Sequence, residues 1–401
     1  MEEPVEPAAI DTVRGPITGS TRLIGMGGAF VAIAEDTEGV AINPASVAVR
    51  VPHSWTPWSF GFGVDIAIGA ILPQDESNSS ASETQEIEQN TAFFGSVAAL
   101  LNYRHAGFGI SAEAQRNAAT RQDRAQGITP TDLAADFGIV HTNAGYGFLQ
   151  GQLLLGLGAR MIGVSFDRHS GGSGLSNAGL GLELGVMIKP LFSQFRLAAA
   201  FRSSIEASLP AAPGEPDSTM HVPWEAALGF AYQFGQRPLN PPFTTARDHA
   251  RRLAPGRKPT EDELKRAKRD LFENYQRVQR RYVLISGELA MLEGGGDRVS
   301  IGQYWGDSDE QTSSRPVLSP RLGVESEVVA HVLRLRAGSY YEPSRTADSE
   351  DRLHGTAGLD VRLFRWNVFG LADPFDYWRL SLAADAAREY LSTAFSIGFW
   401  H

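Results

Sequence analysis

Between residues 353 and 364 the chain changes character at every step. Ala357, Leu359, Val361 and Leu363 share one parity; Thr356, Gly358, Asp360 and Arg362 share the other. Successive strand side chains point to opposite faces, so this spacing makes one apolar face and one polar face. The split recurs. In 195–206, Phe195, Leu197, Ala199 and Phe201 oppose Arg196, Ala198, Ala200, Arg202 and Glu206. In 321–328, Leu322, Val324 and Val328 oppose Arg321, Gly323, Glu325 and Glu327. No run of about 18 apolar residues breaks the rhythm, which excludes a helical membrane span.

Such segments are predicted at 58–72, 91–104, 108–118, 132–147, 152–166, 178–189, 195–207, 222–234, 282–305, 318–329, 332–342, 353–364, 378–388 and 390–400. The segment 282–305 reads as one long strand, with Gly294-Gly295-Gly296 as a bulge. Connections alternate in length. Tight turns fall near His105, Gln150, Pro190 and Ala330; longer polar loops fall at 73–90, 119–131, 168–177, 210–217, 306–317 and 344–352. The loop 73–90 is acidic and serine-rich, with no basic residue. About 14 strands with this asymmetry predict an all-β fold, a transmembrane antiparallel β-barrel. A soluble sandwich alternates too. Glycines on the polar face, and aromatics near strand ends suited to interfacial girdles (Trp55, Trp58, Trp224, Trp305, Tyr340, Tyr341, Trp378), favour the membrane.

Ahead of the strands lies an apolar, glycine-rich stretch from Arg22 to Ala48. Gly25, Gly27 and Gly28 let other backbone approach closely. Pro44 biases Asn43 toward an extended backbone and makes a rigid corner. We read residues 1–56 as a plug and 57–401 as the barrel around it. The run Gly25-Met26-Gly27-Gly28-Ala29, the acidic Glu35-Asp36 and Asn43-Pro44-Ala45 resemble the N-terminal signature of the FadL/TodX-like outer-membrane transporters of long-chain fatty acids and other hydrophobic molecules. That resemblance implies a barrel of about 14 strands with an internal hatch. It implies passive uptake or export of hydrophobic small molecules across a bacterial outer membrane, with outer-membrane lipid around the barrel. Ligand would enter from outside, rest in an apolar pocket over the hatch, and leave when the hatch rearranges or through the wall. Gly25, Gly27, Gly28, Asn43, Pro44 and Ala45 are the hatch and gating candidates, and the Asn43 side chain is expected to clamp hatch to wall. The last strand, with Leu391, Thr393, Phe395, Ile397 and Phe399 on one face, resembles the signal read by the barrel-assembly machinery, although His401 replaces the expected terminal aromatic.

One segment, 235–281, breaks the rhythm. It opens with Pro238, Pro241 and Pro242, then carries the capping-box sequence Thr260-Glu261-Asp262-Glu263 and a stripe of Leu264, Ala267, Leu271, Tyr275 and Val278 at helical spacing. Its 13 Lys/Arg against 6 Asp/Glu give +7 in a chain of net charge −10. Following the eighth strand, it is periplasmic if the barrel starts on that side. Two roles stand for it: a packing face against the barrel mouth, or a dock for a periplasmic protein through 240–280. The second belongs to an alternative function, a FadL-like scaffold or shuttle in a secretion or surface-assembly machine.

Glu288, Arg321, Glu325, Arg334, Arg336, Asp360, Arg362 and Asp385 are expected in the lumen. There they either bind a ligand head group or pair across it and brace the barrel. A continuous apolar lumen favours transport, and a charge-filled one favours a scaffold. No catalytic, cofactor or metal site is expected. The 9 His are scattered, and Gly156-Leu157-Gly158 and Gly179-Leu180-Gly181 read as alternate glycines on one strand face rather than a dinucleotide fingerprint. The negative net charge disfavours nucleic acid. The 0 Cys suit an exported protein. Met1-Glu2-Glu3-Pro4 is acidic and polar, so an exported chain is expected to be numbered here in a mature or altered form.

Overall fold

A computed structural model describes residues 9–12, 15–50, 55–71, 85–123, 131–167, 175–209, 218–277, 281–296, 298–301, 313–345, 351–365, 377–388 and 390–400. Most of the loop 73–90, the loop segments 168–174, 210–217 and 306–312, and Trp305, Val278 and His401 lie outside them.

The strands are β1 (Ala9–Asp11), β2 (Trp58–Ile71), β3 (Gln85–Tyr103), β4 (Ala106–Asp123), β5 (Thr131–Phe148), β6 (Leu153–Asp167), β7 (Leu175–Ile188), β8 (Phe195–Arg202), β9 (Ile205–Leu209), β10 (Ser218–Val222), β11 (Glu225–Gly235), β12 (Tyr282–Leu292), β13 (Val299–Ser300), β14 (Val317–Val329), β15 (Leu333–Glu342), β16 (Arg352–Arg365), β17 (Tyr377–Ala387) and β18 (Tyr390–Trp400). Fourteen of them, all but β1, β9, β10 and β13, form a closed antiparallel barrel. The seam is β18 on β2, from Tyr390 opposite Ile71 to Ile397 opposite Val64. Closure leaves no strand edge unpaired, which a sheet in lipid requires.

Parity sorts the two faces as the sequence implies. Leu180 and Leu228 are 70 % and 62 % exposed on the outside, among Ile68, Leu157, Leu182 and Leu322. Glu183, Arg336, Asp360 and Asp385 are buried on the inside. An apolar outer band around a polar interior is the arrangement a bilayer demands of a barrel. Aromatic pairs sit outside near the short turns: Trp58 with Tyr103 (4.4 Å), Tyr146 with Phe148 (4.9 Å) and Tyr232 with Phe234 (4.7 Å). They make a girdle there, which of the residues expected includes Trp58. Trp55, Tyr340 and Trp378 are buried, because their parity or position turns them inward or under the barrel end.

Three predicted strands are broken. The segments 195–207, 222–234 and 282–305 leave the barrel wall at Arg202, before Glu225 and after Leu292. The freed pieces join β1 in a separate four-stranded sheet of order β13-β1-β10-β9 at the long-loop end. Ile10, Ile205, Met220, Val222 and Ile301 of that region pack with wall residues Phe137, Ile139, Ile162 and Val164 in one buried cluster. Apolar burial against the wall replaces further wall pairing. Gly179 and Gly181 supply the space, since a Cβ on Gly179 would lie 2.2 Å from Ile205 Cγ2. Gly294-Gly295-Gly296 is therefore a link between β12 and β13 and not a strand bulge. The strand β3 also begins inside the predicted acidic loop, at Gln85, and β4 continues through 119–123.

Candidate functional site

Residues 15–50 occupy the lumen and touch the wall on nearly every side. The helix α1 (Thr21–Gly25) packs on β15–β18, α2 (Asp36–Gly39) on β2 and β3, and a 3-10 turn (Pro44–Ala48) on β3–β7. Ser20 caps α1 by accepting from the Leu23 amide at 3.2 Å. Gly27 (φ 58°) and Gly28 (φ 70°) then turn the chain in the left-handed region. The turn lies almost on the wall backbone: a Cβ on Gly27 would stand 2.6 Å from Ser339 N. The wall answers with its own glycines, Gly323 and Gly338 against Met26 and Gly27, and Gly358 against Gly25. On the opposite side Gly156 and Gly185 meet Pro44 and Ala45 in the same way. Glycines from both partners are needed because two backbones share the space of one side chain.

Polar links hold the segment. Glu288 Oε2 accepts from the amides of Phe30 (2.9 Å) and Val31 (2.8 Å), while its Oε1 accepts from Arg321 (3.0 Å). Asn143 donates to Val40 O (2.6 Å), Asn102 to Val47 O, and Arg202 to the carbonyls of Ala41 and Ile42. Asn43 is wholly buried and extended (φ −143°), as its place before proline requires. Its partners, though, are inside the segment: it donates to Val31 O (3.2 Å) and accepts from the Ala45 amide (3.0 Å). The clamp to the wall comes from Asn102 and Asn143, which sequence reasoning passed over; their signal was an amide on the inward parity of an apolar strand.

Charge fills the middle of the lumen. Arg22 pairs with Glu325 (2.9 Å) and Glu35 (3.1 Å), and Glu35 also pairs with Arg196 (3.1 Å). Arg336 donates to Glu325 (2.6 Å) and, through Nη1, to Asp360 (2.6 Å). Arg379 pairs with Glu38 (2.8 Å) and lies 3.8 Å from Asp360. Arg334 pairs with Glu327 (3.5 Å) and stacks on Trp400. Asp385 stands in a second cluster, accepting from Tyr340 (2.7 Å) and bonded to His354 (3.0 Å), whose other nitrogen meets Glu342 (2.8 Å). Arg362 is apart from both, stacked on Tyr377 at 4.3 Å. The charges thus brace wall and plug at mid-lumen, while the long-loop end holds one buried apolar cluster beside further ion pairs such as Arg345–Asp11 and His221–Glu293.

At the short-turn mouth the insertion is not loosely appended. Asn240 is wholly buried: it accepts from Arg196 Nε (2.7 Å) and donates to Phe195 O (2.7 Å). Phe243 lies under Arg50 (4.5 Å) and edge-on to His105 (5.8 Å). Beyond it, α3 (Ala246–Leu253) packs on α4 (Glu261–Arg277), with Ala250 and Ala267 buried. Phe272 meets Trp55 edge-on at 5.8 Å. The capping box is present: Thr260 Oγ1 accepts from the Glu263 amide (3.3 Å), and the Thr260 amide donates back to Glu263 (2.8 Å).

These features define a class: a 14-stranded membrane barrel closed around its own N-terminal segment. No protein-family model matches the chain, and no curated protein does. Solved structures do. A TodX monoaromatic hydrocarbon channel lacking S2 and S3 superposes with a TM-score of 0.56 at 13 % identity, covering 96 % of this chain and 99 % of that one. The CymD monoaromatic hydrocarbon channel gives 0.53 at 12 % identity, over 95 % and 96 %. The P. putida toluene transporter TodX gives 0.54 at 13 % identity, over 95 % and 97 %. The chain has the fold of these channels along almost its whole length.

Proposed function

We propose that the protein is a channel of the bacterial outer membrane for passive movement of hydrophobic small molecules, long-chain fatty acids among them, with residues 15–50 as its hatch. The observation that carries this reading is the fold, a closed 14-strand barrel with the architecture of the hydrocarbon channels, while the charges at mid-lumen weigh toward the scaffold reading below. The apolar wall patch of Phe137, Ile139, Ile162 and Val164 at the long-loop end is covered by Ile10, Ile205, Met220, Val222 and Ile301, and a segment held by side-chain and glycine contacts, not by strand pairing, fills the way beyond it. Cargo enters at the long-loop end, from outside, and passes when Gly25–Gly28 and Asn43–Ala45 shift on their glycine seats. No covalent chemistry is involved. The strand β18 presents the chain to the barrel-assembly machinery. The name of the toluene transporter adds small aromatic hydrocarbons to the cargo worth testing. Reconstituted vesicles should take up toluene and oleate faster than protein-free vesicles, and deletion of residues 2–48 should raise single-channel conductance. Equal uptake with and without protein would sink the reading.

The insertion supports a second reading. Arg247, Arg251, Arg252, Lys265, Arg266 and Arg269 are exposed on α3 and α4, a surface suited to an acidic periplasmic protein. A scaffold or shuttle role would lose its assembly function on deletion of 247–277, while uptake of hydrophobic molecules stayed unchanged.

A further inference from the structure

The segment that links β11 to α3 crosses the end of the barrel. It leaves the wall at Gly235 and brings α3 to Trp55, just ahead of β2, where the Ala246 amide donates to Trp55 O (2.8 Å). In the closed order β11 and β2 stand seven strands apart whichever way the ring is followed, so the two points lie opposite each other. After α3 and α4 the chain returns to β12, the neighbour of β11. The insertion therefore passes over the short-turn mouth on the way out and again on the way back.

The first pass seats against the end of the hatch. Leu239 packs on the cluster that holds Ala48 and Val49 of the hatch and Leu154 and Met187 of the wall. Val49 and Arg50 are 3 % and 7 % exposed, although a hatch ending at an open mouth would be wet. Arginines tie this pass to the hatch. Arg196 of β8 donates to Asn240 Oδ1 (2.7 Å), to Leu239 O (2.9 Å) and, through Nη1, to Glu35 (3.1 Å). Arg50 donates to the carbonyls of Thr56 (2.9 Å) and Pro57 (3.4 Å) and lies over the Phe243 ring (4.5 Å).

The pass is held differently at its two ends. At the β7–β8 turn the backbone itself is bonded. The Asn240 amide donates to Ser193 O (3.2 Å), its carbonyl accepts from the Phe192 amide (2.9 Å), and the Leu239 amide donates to Gln194 Oε1 (3.1 Å). Toward the far rim the grip is largely aromatic: Phe243 edge-on to His105 (5.8 Å), and Phe272 of α4 edge-on to Trp55 (5.8 Å). Between the two ends Pro241 and Pro242 have a fixed φ and no amide hydrogen to donate. A stiff arm between a hydrogen-bonded anchor and an aromatic latch turns about the anchor.

We propose that residues 237–246 are an autoinhibitory strap. It hinges at Leu239–Asn240, latches at Phe243–Ala246, and keeps the mouth shut and the hatch seated together. The inference rests on the channel reading and adds a second barrier to it, on the exit side of the hatch. Cargo that has passed the hatch leaves by the mouth when Phe243 is released.

The chain has 0 Cys, so paired cysteines can lock the latch without side reactions. In full-length His105→Cys/Phe243→Cys, bridging by a short bifunctional thiol reagent should slow toluene uptake into vesicles about tenfold or more against the same variant left unbridged. Phe243→Ala should act the other way. Uptake should rise, and amide protection at 46–50, where the Val49 amide is bonded to Ser46 O (2.9 Å), should fall about tenfold. Heat-modifiability on gels confirms that each barrel is folded. Two results would overturn the proposal: uptake as fast in the bridged chain as in the unbridged one, or unchanged protection at 46–50 in folded Phe243→Ala. The channel reading fails separately, if parent and variants alike take up toluene no faster than protein-free vesicles. Exchange at 46–50 then still decides whether the strap seats the hatch.

Discussion

Removing the Glu288 carboxylate should free the hatch while leaving the barrel whole. One oxygen, Oε2, accepts from the amides of both Phe30 and Val31, and the other accepts from Arg321. Phe30 and Val31 are 0 % and 1 % exposed, so water has poor access to take the place of the carboxylate. Glu288→Ala strands two buried N–H groups, each costing about 1–3 kcal/mol, for a sum of roughly 2–6 kcal/mol. Glu288→Gln can keep both amides satisfied with its single carbonyl oxygen, but its NH2 then meets the Arg321 guanidinium donor to donor, so the charge-assisted bond, about 1.5–3 kcal/mol, is lost and the partly exposed Arg321 must turn away. The strand β12 keeps its ladder in both variants, because Glu288 pairs through its backbone with Gly229 and Arg321. Hydrogen exchange followed by mass spectrometry reads the outcome. Amides between 29 and 34 should exchange about a thousandfold faster in Glu288→Ala if about 4 kcal/mol is lost. Barrel amides should stay protected and Glu288→Gln should fall in between. Unchanged exchange in a folded Glu288→Ala would refute the latch, and equal effects from Ala and Gln would shift its worth from the amides to Arg321.

Four further outcomes are expected. Gly27→Val should unseat the hatch, because its Cβ collides with Ser339 N and its φ of 58° is closed to a branched side chain; planar-bilayer conductance should rise while heat-modifiability of the barrel on gels persists. Deleting 247–277 should leave a folded, heat-modifiable barrel, whereas Asn240→Ala should weaken the mouth by about 1–3 kcal/mol by stripping Arg196 of its buried acceptor. The exposed Glu263 carboxyl is held down to about 2, first by Arg257 and then by the Thr260 amide. Its depressed value means the cap of α4 is fully present above the ordinary carboxylate range and is lost as pH falls from about 4.5 toward 2; the protection of the Glu263 and Leu264 amides, relative to their intrinsic exchange at each pH, should fall over that window in the parent and be low throughout in Glu263→Gln. Cysteines at Ser79 and Thr260 should react with an impermeant maleimide on intact cells only at Ser79; the reverse pattern would invert the topology.

The wall was legible in the sequence because period two and membrane burial agree. Leu359 and Val361 face one way and Thr356 and Asp360 the other, in the sequence and in β16. The same period misled where an apolar face had a different destination. Ile205 and Ala207 continue the alternation of β8, yet Ile205 is spent against Gly179 and Gly181 inside the lumen and not against lipid. Alternation reports that a face is buried, not what buries it. The Pro-rich lead of the insertion carries no period at all, so Asn240 and Phe243 gave no signal of their place in the mouth. Asn43 was visible as a corner because Pro44 acts locally, whereas its partner Val31 depended on how the segment folds back.

The charges bring wall and hatch together. Arg22, Glu35 and Glu38 of the N-terminal stretch reach across to the wall, and Arg196, Arg336, Arg379, Glu325 and Asp360 stand on the inward parity of five strands. Taken apart, the hatch set is short of a cation and the wall set has one in excess; together they hold four cations and four carboxylates. A buried charge stripped of its partner costs about 3–5 kcal/mol. Expelling the hatch whole would break Arg22–Glu325, Glu35–Arg196 and Glu38–Arg379 at once. The glycine turn and the Asn43 corner carry none of these pairs, so they can shift while the pairs hold. On the proposed channel reading, local movement of Gly25–Gly28 or Asn43–Ala45 costs less than expelling the whole segment, and charge reversal of a single pair, such as Arg379→Glu, should raise leak conductance more than a neutral change in either turn.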